Sequence, residues 1–152
     1  IHQTLYQSQN FAQVDFQRFL GELLPRLTES YGARSRQVNI DIQARDMKLP
    51  INEAIPCGLI VNELVSNALK HGFPNERGGK VLVKISQDAD QEVELSISDD
   101  GQGIPPDMDL TKSDSLGLQL VHLLTRQLHG QLDVQRSNPT RFTLRFRMGD
   151  HK

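Results

Sequence analysis

The stretch "CGLIVNELVSNALKHGFP" at residues 57–74 has the composition of a buried helix, yet polar side chains run through it. At about 100° per residue, Glu63 and Asn67 fall on one stripe of such a helix. The pair Lys70 and His71 extends that stripe by one more turn. Burying polar groups without partners costs roughly several kcal/mol each, so the stripe must face solvent or line a polar site. Taken alone, a solvated face is the commoner outcome.

The overall composition indicates one globular domain without a strong charge of either sign. The chain has 152 residues, of which 37% are hydrophobic and 24% charged, and its net charge is −2. This balance gives no reason to expect a nucleic-acid partner. The single cysteine, Cys57, excludes a disulfide framework and favours a reducing, cytoplasmic compartment. No apolar run approaches the roughly 18 residues that a membrane span needs, so we expect no membrane contact from this segment.

Hydrophobic periodicity predicts an alternation of helices and strands. The spacing of apolar residues predicts helices over 16–31, 57–74 and 116–130, the first with Asp15 as N-cap and with Pro25 kinking it or ending it early. Strict alternation predicts strands over 37–43, 80–86, 92–98 and two more in 131–147. The expected fold is α+β, a two-layer α/β sandwich in which about three helices cover one face of a mixed sheet of about five strands.

A second group of candidate residues lies in "SISDDGQGIP", where a predicted strand ends. A carboxylate at that position, Asp99, can accept a hydrogen bond from an exocyclic amine. Gly101 and Gly103 would let the backbone approach a flat ligand without Cβ clashes. A tight Asp-Gly turn is the plainer interpretation of the same residues. An EF-hand calcium loop does not fit, because its spacing of acids and glycine is not met.

A third candidate is the glycine in "DSLGLQLV", where the last predicted helix begins. Gly117 stands at a helix N-terminus, which offers free N–H groups and a positive dipole end to a phosphate. An ordinary helix start is the alternative interpretation. Two other nucleotide motifs fail, since "ERGGKV" lacks the Walker spacing and "GQGIPP" lacks the third glycine of a dinucleotide fingerprint.

The three motifs in this order resemble the ATP-binding domain of sensor histidine kinases, in the group that also holds the Hsp90, gyrase and MutL ATPases. "NELVSNALKH" resembles the N box of that family, "DDGQG" its first glycine box, "SLGL" its second, and "PTRFTLRF" its closing strand. The resemblance covers residues from about 37 to 147 and implies the Bergerat fold. Residues 1–14 resemble the end of a dimerisation helix or connector in one subfamily, and 15–152 would be the catalytic domain. The "HRVKNN"-type acceptor motif of that subfamily is absent from this chain.

The resemblance also implies a role for each candidate residue. Glu63 would be the catalytic acid that orients or polarises the acceptor near the γ-phosphate. Asn67 would hold Mg²⁺, with Asn62 a weaker candidate beside the same metal. The remaining residues would bind ATP. Lys70 and His71 would contact the phosphates, Asp99 would contact the adenine amine, and Thr140 would lie near the adenine. Gly101, Gly103 and Gly117 would admit the nucleotide and its phosphates. Ser115 stands where the second box usually has its first glycine.

The function that this resemblance implies is transfer of the γ-phosphoryl of Mg·ATP to a histidine. The acceptor would lie outside this chain, in a dimerisation or histidine-phosphotransfer domain of the same protein, and a response regulator would receive the phosphoryl next. Two alternatives remain open at this point. One is a serine kinase of the anti-sigma type, which shares the same site, and the other is a non-catalytic nucleotide-binding docking module.

Overall fold

A five-stranded mixed sheet is the base of the fold in the computed structural model, which describes residues 13–30, 37–73, 78–108 and 116–149. The first two strands in the spatial order pair in parallel, and the other neighbouring pairs are antiparallel. In that order the strands are β2 (Val38–Gln43), β4 (Gly79–Gln87), β5 (Glu92–Asp99), β7 (Thr140–Arg147) and β6 (Gln131–Gln135). The predicted mixed sheet of about five strands is therefore confirmed.

Three helices, within the described ranges, cover the apolar face of this sheet. They are α1 (Phe16–Ser30), α2 (Ile51–Asn67) and α3 (Leu116–Gln127). One core joins their buried side chains to alternate residues of the strands, such as Val81 and Val83 of β4. The predicted two-layer arrangement is confirmed in this way. No helix in the described part of the chain is both long and apolar enough to cross a membrane.

Helix α1 begins where its capping residue predicts but does not end early. The carboxylate oxygen Oδ1 of Asp15 accepts a hydrogen bond from the backbone N–H of Arg18 at 3.3 Å, which is N-cap geometry. The helix continues through Pro25 to Ser30, so the prediction that Pro25 might end it was wrong. Pro25 deprives only the carbonyl of Gly21 of a helical partner, and Gly21 is exposed, so water can take that place.

A short two-stranded sheet at the start of α2 was missed by the sequence analysis. Strand β1 (Gln13–Asp15) pairs antiparallel with β3 (Lys48–Pro50), and α2 begins at the next residue, Ile51. The helix therefore starts six residues before the predicted stretch, with Pro56 inside it. Three-residue strands carry too little alternation to be recognised in a sequence. Strand β1 crosses the predicted domain division after residue 14, and that division stays a prediction.

The opposite face of the sheet is polar. Arg145 of β7 forms ion pairs with Glu94 at 2.9 Å and with Asp133 at 2.7 Å, across both neighbouring strands. All three side chains are substantially exposed, so this network is worth little stability. The structure therefore shows a solvated face on this side of the sheet.

Candidate functional site

The end of the sheet that carries Asp99 and Thr140 opens into a cavity. Asp99 is the last residue of β5, Thr140 is the first of β7, and the strand register places them directly opposite each other. Two residues further into each strand, Ile97 and Phe142 are also opposite and share the same face. All four line a cavity of about 340 Å³. This size lies within the range of about 300–1,000 Å³ that is usual for small-molecule sites.

Helix α2 supplies one wall of this cavity and continues into a wider turn. Its backbone passes from α-helical to π-helical hydrogen bonding over Ala68–Gly72, which we call the π turn. Leu64, Asn67 and Ala68 line the cavity, together with His71 and Gly72. Isolated π-helical turns inside helices are rare and frequently mark functional sites. Here the widening follows Asn67 directly, and His71 within it lines the cavity.

The loop after β5 forms another wall of the cavity and is hydrogen-bonded to the π turn. Gln102 donates its backbone N–H to the carbonyl of Gly72 at 2.8 Å and its side-chain N–H to the carbonyl of His71. Gly101 donates to Oδ1 of Asp99 at 2.9 Å. The bond from Gly101 orients the Asp99 carboxylate, whose two oxygens together can accept several hydrogen bonds.

The two aspartates of "DDGQG" serve different purposes. Asp99 is half-buried and faces the cavity, as described above. Asp100 is exposed, and its Oδ1 accepts the backbone N–H of Lys80 at 2.7 Å, which ties it to the first residues of β4. Adjacent strand residues point to opposite faces, so only one of the pair can reach the cavity.

The two glycines of the same motif are required by backbone geometry. A Cβ at Gly101 would lie 2.3 Å from the carbonyl oxygen of Gly72, so only glycine allows the loop to lie against the π turn. Gly103 has φ +86°, a left-handed conformation that glycine adopts without strain. Gly103 lines the cavity, whereas Gly101 shapes it by allowing this contact.

A second loop supports this wall from behind. The guanidinium of Arg136 donates to the carbonyl of Pro105 at 2.7 Å, and the carbonyl of Arg136 accepts the N–H of Ile104 at 2.8 Å. The same carbonyl accepts the hydroxyl of Thr140 at 3.0 Å. Arg136 therefore connects the start of β7 to the loop that carries Gly103.

The structure brings together five of the ten predicted site residues as cavity-lining residues, namely Asn67, His71, Asp99, Gly103 and Thr140. Gly101 contacts the cavity wall, and Gly117 precedes Leu118, which lines the cavity from α3. Three predicted residues do not line it, namely Asn62, Glu63 and Lys70. Glu63 lies four residues before Asn67 on α2, which is about 6 Å along the helix axis. Asn62 and Glu63 are half-buried and Lys70 is exposed.

The sequence analysis missed most of the apolar wall and one polar group. The missed residues are Leu64, Ala68, Gly72, Ile97, Gln102, Ile104, Pro105, Met108, Leu118 and Phe142. Two of them were within reach of the sequence, because Ile97 and Phe142 are each two residues from a predicted site residue on a strand. Gln102 carried no signal, since its role depends on carbonyls that the π turn exposes.

The donor set fits an adenine nucleotide better than a cluster-bound metal. A mainly apolar cavity with a carboxylate and a hydroxyl at its sheet end suits a purine with an exocyclic amine. Among the described residues, no group of three or more histidines, cysteines, aspartates or glutamates could hold a metal ion. A single amide ligand, Asn67, is still compatible with Mg²⁺, which keeps several waters and phosphate oxygens when it binds a nucleotide.

Comparison with known proteins agrees with this geometry. Residues 52–150 match the family described as histidine kinase-, DNA gyrase B-, and HSP90-like ATPase. That match covers more than half of the chain, and the chain belongs to this family. The resemblance that the sequence motifs indicated is thereby confirmed.

The similar proteins are sensor histidine kinases. The chain is 31% identical over 118 residues to blue-light-activated histidine kinase 2 of Erythrobacter litoralis, covering 78% of this chain and 34% of that protein. It is 30% identical over 141 residues to sensor histidine kinase PdtaS of Mycobacterium tuberculosis, covering 90% of this chain and 28% of that protein. The chain thus spans about a third of the length of these relatives.

A solved structure shares the fold. The histidine kinase domain from the Erythrobacter litoralis EL346 blue-light activated histidine kinase superposes with a TM-score of 0.80 at 26% identity. The alignment covers 92% of this chain and 70% of that one.

Proposed function

We propose that this chain is the catalytic, ATP-binding domain of a two-component sensor histidine kinase. Asp99 and Asn67 face one mainly apolar cavity from two different elements, and this observation carries the proposal. Family membership and the histidine kinases among its relatives support it. The single buried cysteine is compatible with a cytoplasmic location, which we propose for this domain.

We assign nucleotide binding to the cavity. Asp99 accepts a hydrogen bond from the adenine amine, and Thr140 lies beside it on the neighbouring strand. Ile97 and Phe142 pack against the faces and edges of the base. His71 and Lys70 of the π turn contact the phosphates, and Gly117 offers its backbone at the start of α3. The apolar walls strengthen the hydrogen bond at Asp99 because they exclude water from it.

The phosphates would extend from the cavity along α2, past Asn67 and towards Glu63. Asn67 is the residue we assign to Mg²⁺, with Asn62 as a weaker candidate, and the bound ion would neutralise phosphate charge. In the transfer, the bond from the γ-phosphorus to its bridging oxygen breaks and a bond to an imidazole nitrogen forms, with ADP leaving. Glu63 accepts a hydrogen bond from the other imidazole nitrogen and orients the ring. Positioning and charge neutralisation are the main contributions a protein makes to such transfer.

The acceptor histidine belongs, in this proposal, to a dimerisation or histidine-phosphotransfer domain of the same protein. A response regulator would then take the phosphoryl group onto an aspartate. No nucleic acid enters this scheme. The acid stability of the product separates it from the serine-kinase alternative, because phosphohistidine is acid-labile and phosphoserine is not.

Nucleotide titration of the wild type, Asp99→Asn and Asp100→Asn, with and without Mg²⁺, tests the site. We expect Asp99→Asn to weaken ATP binding by about tenfold or more, since a charge-assisted hydrogen bond is lost in an apolar cavity. Asp100→Asn is the matched control, because Asp100 carries the same charge one residue away and faces β4 instead. Equal ATP affinity in all three proteins would remove Asp99 from the site.

Glu63→Gln tests whether the domain catalyses transfer or only binds nucleotide. We expect this variant to bind ATP as tightly as the wild type and to form phosphohistidine on the acceptor domain much more slowly. Transfer at the full rate would deprive Glu63 of its proposed role. ATP binding with no transfer by the wild type would favour the docking module.

A further inference from the structure

The π turn ends the helix that begins with α2, and its last residues lie beside the cavity. A helix leaves its final carbonyls without N–H partners of its own, and partial negative charge collects at that end. His71 and Gly72 close the π turn, and both line the cavity. The carbonyls of these two residues therefore need donors from another part of the chain.

Gln102 provides a donor to each of these two carbonyls. Its backbone N–H donates to the carbonyl of Gly72 at 2.8 Å. Its side-chain N–H donates to the carbonyl of His71, which is 31 residues earlier in the chain. Gln102 is exposed and lines the cavity. This residue thus caps the end of the helix from a different element.

The loop that caps the π turn also carries the residue proposed to bind the base. Gly101, the residue before Gln102, donates its N–H to Oδ1 of Asp99 at 2.9 Å. The same carboxylate oxygen would lie 3.3 Å from a Cβ placed on Gly72. The proposed base subsite and the end of the π turn are therefore in contact, and Gln102 joins them by hydrogen bonds.

Electrostatics gives this cap an effect that depends on the charge of the ligand. The negative end of a helix repels anions, and the phosphates of ATP carry several negative charges. The N–H groups of Gln102 occupy the two carbonyls and so reduce this repulsion. His71 and Lys70, which we assigned to the phosphates, belong to the same turn. The cap therefore also holds the backbone of these two residues in place.

We propose that Gln102 is a positioning residue that couples base binding at Asp99 to phosphate binding at the π turn. Its side chain acts through the carbonyl of His71, so that the turn accepts the phosphates of a nucleotide whose base is bound. This inference rests on the proposed function and names a residue that sets the preference of the cavity for nucleotides over nucleosides.

Binding of ATP and adenosine to Gln102→Met, measured by calorimetry in the presence of Mg²⁺, tests this role. Methionine is uncharged, unbranched and similar in length to glutamine, and it keeps the backbone N–H while removing the side-chain donor. Residue 102 is exposed, so the variant should fold. We expect ATP affinity to fall about fivefold, as the loss of one hydrogen bond predicts, while adenosine affinity stays unchanged.

The matched control is Gln87→Met. The side-chain N–H of Gln87 donates to the side-chain oxygen of Gln91 at 2.8 Å. Gln87 is the last residue of β4, whereas Asp99 pairs with Val81 near the start of that strand. This variant therefore removes an exposed glutamine donor at the opposite end of the sheet, and it should bind both ligands as the wild type does.

A double-mutant cycle tests whether Gln102 acts through the π turn. His71→Ala should weaken ATP binding in the wild type, because the imidazole contact with the phosphates is lost. The same substitution should weaken ATP binding less in the Gln102→Met background, where the turn is no longer held in place. Residues that act together give such non-additive effects, whereas independent residues give additive changes in binding free energy.

Each outcome has one interpretation. Unchanged ATP affinity in Gln102→Met would overturn the positioning role and leave the proposed function intact. Equal losses of ATP and adenosine affinity would also overturn it, because they show a general change of the cavity. Additive effects of His71→Ala and Gln102→Met would show that the two residues act independently, against the proposal. A wild type that binds neither ligand would overturn the proposed function itself.

Discussion

At position 101, the absence of a side chain allows the loop after β5 to lie against the π turn. We expect Gly101→Ala to lower the free energy of unfolding by about 1–3 kcal/mol, because the added Cβ meets the carbonyl oxygen of Gly72 at 2.3 Å. ATP affinity should fall as well, since Asp99 is oriented by the Gly101 N–H. Urea unfolding and nucleotide titration measure the two effects.

The control for this substitution is Gly21→Ala on the exposed side of α1. A Cβ there has no neighbouring atom within 4 Å. Alanine should stabilise the helix by about 0.5–1 kcal/mol relative to glycine. If Gly101→Ala unfolded at the same urea concentration as the wild type, the close contact of loop and π turn would be refuted.

A second prediction at this scale concerns pH. Burial, with a smaller contribution from the neighbouring charge of Glu53, raises the pKa of the Cys57 thiol far above its ordinary value of 9.0. The folded state therefore keeps the thiol proton at a pH where the unfolded state loses it. The contribution of this thiol to the free energy of unfolding is complete below about pH 9 and declines above it. Between pH 8 and pH 10 the free energy of unfolding of the wild type should fall by about 1.4 kcal/mol more than that of Cys57→Ala. Identical pH profiles in urea unfolding would contradict the burial of this thiol.

At the scale of elements, the connection between β6 and β7 supports the loop after β5 that carries Gly103. Arg136→Ala removes the hydrogen bond to Pro105, and we expect ATP affinity to fall about fivefold, which corresponds to one lost hydrogen bond of about 1 kcal/mol. Arg141→Ala is the control, because Arg141 is exposed on β7. Titration with ATP measures the affinity of both variants. A loss of equal size in the control would show a general effect of charge.

At the scale of the whole molecule, ATP binding should be observed without transfer of the phosphoryl group. The isolated chain of 152 residues should bind ATP but label itself weakly or not at all, because it contains no "HRVKNN"-type acceptor motif. Equilibrium binding and incubation with radiolabelled ATP provide the measurement, with acid treatment to identify phosphohistidine. Robust acid-labile labelling of the isolated chain would place an acceptor histidine within it.

Much of the fold could be predicted because its signals are local. Alternation over 80–86 and 92–98 identified β4 and β5, and the helix spacing identified α1 and α3. Short elements were the failures, since β1 and β3 have three residues each and exist through their pairing with each other. The start of α2 was misplaced for a related reason, because Pro50 and Pro56 suggested a connection where tertiary packing keeps a helix.

The candidate site was predictable only in part. Side-chain chemistry and strand position indicated Asp99, and the family resemblance indicated Thr140. Their direct opposition depends on the register of two strands separated by a helix and another strand. The π turn could not be foreseen, because it departs from the spacing that placed Asn67 and Lys70 on one stripe. Gln102 became a site residue only when its loop met the carbonyls of that turn.

The sequence by itself determined which segments form strands and helices and which residue types are available for nucleotide chemistry, because these depend on neighbours along the chain. Only the tertiary structure decided that Asp99 faces the cavity while Asp100 binds β4, and that Ile51, Ile55 and Leu59 stay exposed beside a buried core. Those outcomes follow from contacts between residues far apart in sequence, and the spacing within one segment carries no information about such contacts.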